Sequence, residues 1–281
     1  MLKVLNDRNV EVNILHFQGR NIDILKKTFE LVKNNAQLSP LEDDLSIVSC
    51  WTDIYKCHLL HQFNKFNLRL INAIPFNYDN NQRWNMTNKI RFYIDCLENK
   101  VNTQYVMLLD GYDVLFTSTK DIIKKFKKTG YRIIFNTSFN NFPFEDIDYI
   151  KDREKRIGFF PYFNAGCCIG YREDLIKFYK ECLNFINVFN PLRSEQKILR
   201  HCFAQYSNDD TQNFIWLDVN RDIFHTMAFT KCNYTALDQI LRIGNNIEGA
   251  MKFYSNPENL ERKKQQENSE FIKNKFLYLL R

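Results

Sequence analysis

The 281-residue sequence has only 8 glycines, no long apolar run, no apolar signal region at its start and no C-x-x-C pair. Eight cysteines without that spacing argue against a structural zinc site, and a chain of this size does not need disulfides to fold. No run reaches the length of a membrane-spanning helix. We therefore expect no transmembrane segment and a reducing compartment, the cytosol of a cell or of a viral host.

A concentrated basic surface is also missing, because the lysines and arginines behind the net charge of +6 are spread along the chain. This distribution does not predict a nucleic-acid partner. The sequence contains no repeat and no low-complexity linker, so we predict one domain over residues 1–257. Residues 258–281 are predicted to form a charged helical tail that packs on this core or on a partner, and dimerisation stays open.

Strand and helix patterns alternate through the first half of the sequence. Predicted strands cover residues 10–16, 45–50, 68–74, 105–109 and 132–136, and predicted helices cover residues 21–34, 53–63, 87–97, 119–129, 174–189 and 195–203. Thr87 is predicted to be the N-cap of the helix at 87–97, and Gly130 to end the helix at 119–129. This alternation predicts an α/β fold with a Rossmann-like, mainly parallel sheet flanked by helices.

The segment 105–116 carries the strongest functional signal, because a short apolar strand ends in Asp110 and Asp113. Carboxylates at the carboxyl end of such a strand lie where open α/β sheets bind ligands. Closely spaced oxygen ligands suit Mg²⁺ or Mn²⁺, which commonly hold substrate phosphates as well. The segment therefore predicts a metal and nucleotide site. The alternative is a polar strand exit in which Asp113 caps the turn.

Several short motifs follow one another in a fixed order along the chain. They are Lys89 on a predicted helix, Asp110-Gly-Tyr-Asp113, Asn141-Phe-Pro143, Asn164-Ala-Gly-Cys-Cys-Ile-Gly-Tyr171, Ser194-Glu-Gln196 and Leu217-Asp-Val-Asn-Arg-Asp-Ile-Phe224. In these motifs the chain resembles the glycosyltransferase domain of the procollagen lysyl hydroxylases and the related procollagen galactosyltransferases. Members of that family are retaining, metal-dependent transferases, and the resemblance implies their activity and their glycosyltransferase A fold.

The resemblance implies roles for individual residues around a UDP-sugar donor. Asp110 and Asp113 would bind the Mn²⁺ or Mg²⁺ that bridges the donor diphosphate. Tyr112 would stack on the uracil ring, since its flat aromatic face lies next to the metal ligands in sequence. Lys89 would place a positive charge near the donor phosphates, and the alternative is a solvated lysine on a helix.

The other implied residues line the sugar and acceptor pockets. On the donor side these are Asn164, Ala165, Gly166 and Phe142, the last at a position where the family has tryptophan. The two small residues would let the backbone approach the sugar closely. Glu195 and Gln196 would lie on the acceptor side, with Glu195 as the carboxylate nearest the anomeric carbon.

One departure from the family pattern bears on the metal. The family's late H-G-N-G motif supplies a histidine ligand, and the aligned segment here has Ile243 at that position. Isoleucine cannot ligate a metal, so another group completes the shell, the metal affinity is weaker, or full activity is lost. His225 is the nearest histidine in the sequence, and we expect it to be an ordinary core or interface residue.

The sequence thus predicts a UDP-sugar-dependent, retaining hexosyltransferase. Its donor would be UDP-glucose or UDP-galactose, and its acceptor a hydroxyl of a protein or glycan, such as hydroxylysine of a collagen-like protein. Two other interpretations stay open. One is a homologue that binds a nucleotide or glycan without turnover, and the other is a phosphatase or nucleotidyltransferase with a D-x-x-D metal site.

Overall fold

The computed structural model describes residues 2–6, 9–17, 25, 28–30, 32, 38–76, 78, 86–138, 162–186, 194–206, 213–227, 230–232 and 249–255. Its strands are β1 Leu2–Leu5, β2 Ile14–His16, β3 Leu45–Cys50, β4 Ile71–Asn72, β5 Tyr105–Asp110, β6 Val114–Phe116, β7 Ile133–Ser138, β8 Tyr162–Tyr171, β9 Ile215–Leu217, β10 Phe224–Thr226, β11 Thr230–Cys232 and β12 Gly249–Ser255. Its helices include α1 His58–Lys65, α2 Met86–Asn99, α3 Ile122–Lys128, α4 Arg172–Ile186 and α5 Glu195–Tyr206. Within the described residues, no helix is long and apolar enough to cross a membrane.

A six-stranded sheet in the order β4-β3-β5-β8-β7-β9 lies at the centre of the described structure. β3 runs parallel to β4 and β5, and β7 runs parallel to β9. β8 is antiparallel to both of its neighbours, β5 and β7. All strands of this sheet except β8 therefore point the same way. The mixed α/β fold with a mainly parallel sheet, predicted from the sequence, is confirmed.

Helices cover both faces of this sheet, and β5 shows how the sequence requires it. Val106 and Leu108 pack on one side, in a cluster that includes residues of α2, α4 and α5. Tyr105, Met107 and Leu109 pack on the other side with residues of α1 and α3. A strand that is buried on both faces needs apolar residues at every position, which explains the unbroken apolar run.

Two three-stranded sheets complete the strand pairing in the described part of the chain. Their orders are β1-β12-β11 and β10-β2-β6. In the second sheet, β2 is parallel to β10 and antiparallel to β6, the strand that directly follows Asp113. This pairing carries residues 14–16 from the N-terminal region to the end of β5.

The helix predicted at residues 53–63 begins later than the sequence indicates. The structure starts α1 at His58, and the preceding residues form turns. The backbone N–H groups of Thr52 and Asp53 donate to the hydroxyl of Tyr112, at 2.9 and 3.0 Å. These tertiary hydrogen bonds hold the segment in a loop at the end of β3, which helical periodicity alone cannot reveal.

Other boundaries are partly corrected and partly confirmed. The strand predicted at 68–74 is reduced to Ile71–Asn72, a short strand at the edge of the sheet. Thr87 is not an N-cap, because α2 already includes Met86. Gly130 ends α3 as predicted, with a φ of 76° that suits glycine and with its N–H donating to the Lys127 carbonyl.

Two predicted segments lie wholly or largely outside the described residues. Of the helix predicted at 21–34, residues 25, 28–30 and 32 are described, and they are helical. The tail predicted at 258–281 is not among the described residues. Its packing therefore stays a prediction.

The cysteines of the described core behave as small apolar side chains. Cys167 and Cys168 are both free and fully buried in β8. Burial raises the pKa of the Cys168 thiol to about 12, which keeps it protonated and unreactive at neutral pH. The prediction that this pair consists of small buried thiols is confirmed.

Candidate functional site

The parallel strands β3 and β5 end at the same edge of the central sheet, which is formed by strand ends and not by an outer strand. The last paired residues of the parallel strands β3 and β5 are Cys50 and Asp110. β8 runs the opposite way and places Cys167 opposite Leu109. The preceding residue, Gly166, therefore lies beside Asp110. This edge is where ligands bind in open α/β sheets.

A register shift between β7 and β8 shapes the same edge. Phe135 pairs with Cys168, whereas the next residue, Asn136, pairs with Asn164. Residues 165–167 therefore bulge out of the β7 ladder, and such bulges commonly re-aim side chains beside active sites. The bulge lies next to the end of β5.

Asp110, Asp113 and His16 form a compact group at this edge. Each offers one ligand atom, and these atoms all lie within 4.8 Å of one another. The imidazole is buried, whereas the carboxylates of Asp110 and Asp113 keep 32% and 31% of their side-chain surface exposed. Burial lowers the pKa of His16, but the charges of Asp113 and Asp110 outweigh burial and raise that pKa above its usual value.

Sequence reasoning does not find His16, because no motif contains it. Its position is set by the antiparallel pairing of β2 with β6, in which His16 lies opposite Val114, the residue after Asp113. The N–H of Phe17 also donates to the Asp113 carbonyl at 2.8 Å. The sequence signal is limited to a histidine at the end of the first predicted strand.

Lys89 lies in the first turns of α2, and its ammonium group lies between two carboxylates. Nζ donates to Asp110 Oδ1 at 2.5 Å and to Glu195 Oε1 at 3.1 Å. Burial by itself lowers the pKa of Lys89, but the two carboxylates raise it well above its usual value. The side chain is buried, with 5% of the residue exposed, so the solvated helix lysine is excluded.

Glu195 and Gln196 are the first residues of α5, and both are buried. The Gln196 side-chain oxygen accepts a hydrogen bond from the N–H of Ala165 at 3.2 Å. Asn164 Oδ1 accepts one from the N–H of Gly166 at 2.8 Å. The hydrogen bond of Gln196 therefore connects the start of α5 to the bulged segment of β8. The structure thus brings these predicted residues to the same edge.

The side-chain nitrogen of Asn164 is a buried donor without an acceptor. Asn164 Nδ2 is inaccessible to solvent and has no hydrogen-bond partner in the described structure. A buried polar group left unpaired costs about 1–3 kcal/mol. An unpaired buried donor of this kind calls for an explanation such as a bound water, ion or ligand.

Tyr112 presents an accessible aromatic ring at the rim of the site. The residue is 37% exposed, and its hydroxyl is within 3.1 Å of the Thr52 hydroxyl. The hydroxyl is thus tied to the loop after β3, as described above. The ring is held in place at its polar end while part of it stays open to a ligand.

Some predicted residues lie outside the described part of the chain. These are Phe142 with the Asn141-Phe-Pro143 motif, and Ile243. His225 is described, and it is fully buried in β10 opposite Leu15. The prediction that it is a core histidine is confirmed.

The fold and the site together define a class of protein. A mixed α/β domain with carboxylates and a buried lysine at the carboxyl ends of its parallel strands has the architecture of a glycosyltransferase A-type domain. A family model described as "PLOD GT domain" matches residues 77–243, which is more than half of the chain. The chain therefore belongs to this family of glycosyltransferase domains. Among curated proteins, no match to the chain was found.

Proposed function

We propose that the chain is a metal-dependent glycosyltransferase that moves a hexose from a UDP-sugar to a hydroxyl acceptor. The donor is UDP-glucose or UDP-galactose, and transfer retains the anomeric configuration. The acceptor is a protein or glycan hydroxyl, with hydroxylysine of a collagen-like protein as one candidate. Membership of the PLOD glycosyltransferase family supports glycosyl transfer as the reaction class.

One observation carries the proposal. The Asp110, Asp113 and His16 ligand atoms lie within 4.8 Å of one another at the sheet edge, and Lys89 connects Asp110 to Glu195. The groups that are suited to hold a metal are therefore adjacent to Glu195, the carboxylate that is suited to act on a sugar. Family membership favours glycosyl transfer over a phosphatase or nucleotidyltransferase.

The residues at this edge fit a divalent cation. Carboxylate oxygens suit Mn²⁺ and Mg²⁺, and an imidazole nitrogen is compatible with Mn²⁺ and later transition metals. A Cβ added at Gly166 would lie 2.8 Å from Asp110 Oδ2, so glycine is needed for this carboxylate to lie so close to the backbone of β8. When bound there, the cation supplies Lewis-acid neutralisation of the charge that develops on the leaving diphosphate.

Glu195 acts on the sugar, and Lys89 holds Glu195 in position. The carboxylate of Glu195 stabilises the cation-like anomeric carbon in the transition state and orients the acceptor hydroxyl. Lys89 holds this carboxylate in place through the 3.1 Å hydrogen bond and holds Asp110 at the same time. Lys89 therefore pairs directly with the carboxylates of Asp110 and Glu195, and it affects the donor phosphates only through these two groups.

The donor is recognised at both of its ends. Asn164 Nδ2, which has no acceptor in the described structure, donates to an oxygen of the sugar or the diphosphate. Gln196 keeps the Ala165 backbone in position beside the sugar through its side-chain oxygen. Tyr112 offers its exposed ring face to the uracil base, and Phe142 is expected to add a second apolar surface to the sugar pocket.

Hydrolysis of UDP-glucose and UDP-galactose, with and without Mn²⁺, tests this function. We expect UDP release that requires Mn²⁺ and that is lost in Asp113→Asn but retained in Asp95→Asn, an exposed carboxylate on α2. Mn²⁺-dependent binding of UDP without any turnover would favour the homologue that binds without catalysis, the alternative motivated by Ile243. Phosphate release without a sugar requirement would overturn the proposal.

A further inference from the structure

His16 lies at the end of β2, and β2 is paired with β6, the strand that follows Asp113. β2 is paired on one side with β10 and on the other with β6, and the residue opposite His16 on β6 is Val114. The imidazole is buried, with 2% of the residue exposed. A ring in this position is fixed by the sheet and not by a mobile surface segment, so its approach to Asp113 is a property of the fold.

The distances at the imidazole are long for direct hydrogen bonds. Nε2 is 3.4 Å from Asp113 Oδ2 and 3.9 Å from Asp110 Oδ2, whereas N–H···O bonds cluster near about 2.9–3.0 Å. Ligands that share one octahedral ion at roughly 2.1 Å are about 3 Å apart when adjacent and about 4 Å apart when opposite. The observed separations of 3.4 and 3.9 Å lie between these values, so small movements let the side chains share one ion.

Gly166 preserves the space that this arrangement needs. A Cβ at Gly166 would lie 2.4 Å from Cε1 and 2.8 Å from Nε2 of His16, and 2.8 Å from Asp110 Oδ2. Any other residue would push the ring and the carboxylate apart. The glycine therefore lets both groups lie close to the same segment of β8.

The other ring nitrogen contacts a buried amide. Nδ1 lies 3.2 Å from Asn136 Nδ2, which also donates to Thr226 Oγ1 at 2.9 Å. Asn136 Oδ1 accepts from the N–H of Thr137 at 2.8 Å, and in this orientation the amide presents Nδ2 to the ring. In this arrangement Nδ1 accepts a hydrogen bond, so the neutral ring carries its proton on Nε2.

We propose that His16 is the third protein ligand of the metal, through Nε2, and that Asn136 is its outer-shell partner. The inference rests on the metal site proposed above. Ligation requires the lone pair of Nε2, so the single proton of the neutral ring moves to Nδ1 and the Asn136 amide turns to accept it with Oδ1. Metal-ligating histidines almost always donate their second N–H to such a group. His16 thereby supplies the nitrogen ligand that Ile243 cannot.

Metal selectivity distinguishes a ligand from a neighbouring hydrogen-bond donor. Imidazole strengthens binding of Co²⁺ much more than that of Mg²⁺, which prefers oxygen ligands. For the full chain without nucleotide, we expect His16→Leu to lower Co²⁺ affinity by about 30-fold or more and Mg²⁺ affinity by less than about threefold. His61→Gln, at an exposed histidine of α1, is the matched control and should change neither. Equal losses for both ions, or no loss for either, would overturn the inference.

A second variant tests the role of Asn136. Asn136→Asp offers a carboxylate oxygen to Nδ1–H without any turn of the side chain, so Co²⁺ affinity should rise by about tenfold or more. The added negative charge also attracts the ion, so the same substitution is made in the His16→Leu background, where most of the gain should disappear. A gain that is equal in both backgrounds would exclude a partnership between the two residues.

Nitrogen NMR of the unmodified chain gives a result that does not depend on a variant folding. With ¹⁵N-labelled histidine and diamagnetic Zn²⁺, we expect the His16 Nε2 resonance to shift and the ring proton to be found on Nδ1. A proton that stays on Nε2 while Zn²⁺ binds at the two carboxylates would overturn the inference and leave the proposed function intact. A chain that binds neither Zn²⁺, Co²⁺ nor Mn²⁺ would overturn both.

Discussion

The ammonium group of Lys89 lies 3.1 Å from the carboxylate of Glu195, although the two residues are 106 positions apart in the sequence. The same nitrogen contacts Asp110 at 2.5 Å. One buried cation thus connects a candidate metal ligand at the end of β5 with a candidate catalytic carboxylate at the start of α5. The Lys89 charge therefore couples the proposed metal site to the proposed sugar site, and several testable consequences follow from this coupling.

Removal of the Lys89 charge should destabilise the chain. In Lys89→Met the carboxylates of Asp110 and Glu195 face one another without a counter-charge, and Glu195 is almost fully buried. Breaking such a pair costs about 3 kcal/mol, to be measured by urea unfolding of the metal-free protein. Mn²⁺ should restore part of this loss, because a second cation then faces Asp110.

The matched control for Lys89→Met is Lys180→Met. Lys180 pairs with Glu98 at 2.5 Å, but 53% of its side chain is exposed. Loss of an exposed pair should change the free energy of unfolding by less than about 1 kcal/mol. Similar losses in the two variants would show that burial of the Lys89 pair has no special effect.

Asp113→Asn should be the cleaner test of metal binding. The Asp113 carboxylate approaches His16, whereas Asp110 also neutralises the buried Lys89. We therefore expect both asparagine variants to lose Mn²⁺-dependent UDP binding in calorimetry, and only Asp110→Asn to lower the melting temperature clearly. UDP affinity that is unchanged in both variants would remove the metal assignment.

Gly166→Ala should weaken metal binding without unfolding the chain. The added methyl would meet the ends of two side chains, His16 Cε1 at 2.4 Å and Asp110 Oδ2 at 2.8 Å, so these groups have to move. A displacement that costs the metal-bound arrangement about 1.4 kcal/mol, within the range of about 1–3 kcal/mol typical of overpacking, lowers Mn²⁺ affinity about tenfold. Titration followed by the EPR signal of free Mn²⁺ measures it.

Gly130→Asn controls for the loss of a glycine as such. Among the described residues, no atom lies within 4 Å of a Cβ at Gly130, and asparagine tolerates its φ of 76°. This variant should bind Mn²⁺ like the parent. If both glycine variants bind the ion equally well, the space beside His16 is not needed for the metal.

Tyr112→Ala should weaken UDP binding by about 1–2 kcal/mol, the value expected for a lost stacking surface. Tyr112→Phe keeps the ring but removes the hydroxyl that accepts from the N–H groups of Thr52 and Asp53. We expect the phenylalanine variant to keep most of the UDP affinity in calorimetry. An equally large loss in both variants would assign the effect to the loop rather than to stacking.

Glu195→Gln should separate catalysis from binding. The glutamine oxygen can still accept the hydrogen bond from Lys89 Nζ, while the negative charge proposed to stabilise the anomeric carbon is gone. Turnover of the UDP-sugar should fall by about a hundredfold or more with little change in UDP affinity. The comparison of single-turnover rates with calorimetry checks this, and unchanged turnover would leave Glu195 with a purely structural role as the first residue of α5.

The strands β3, β5 and β7 of the central sheet could be read from the sequence, because both of their faces are buried, whereas β8 and β9 were not predicted. Strands such as β3 and β5 are short apolar runs, and their bounds agree with the prediction to within one residue. The loop before α1 could not be read in this way. Its conformation depends on the Tyr112 hydroxyl, a partner about sixty positions away that no local pattern contains.

The sequence by itself determined the α/β fold, the family and the residues on the family's motifs, because these follow from periodicity and from side chains at fixed spacing. Only the tertiary structure placed His16 against Asp113, since strand pairing between β2 and β6 sets that contact. It likewise decided that Lys89 is a buried bridge and not a solvated charge. A sequence lists the groups that can ionise, but only the packed chain fixes which of them share a low-dielectric space, and so how they interact.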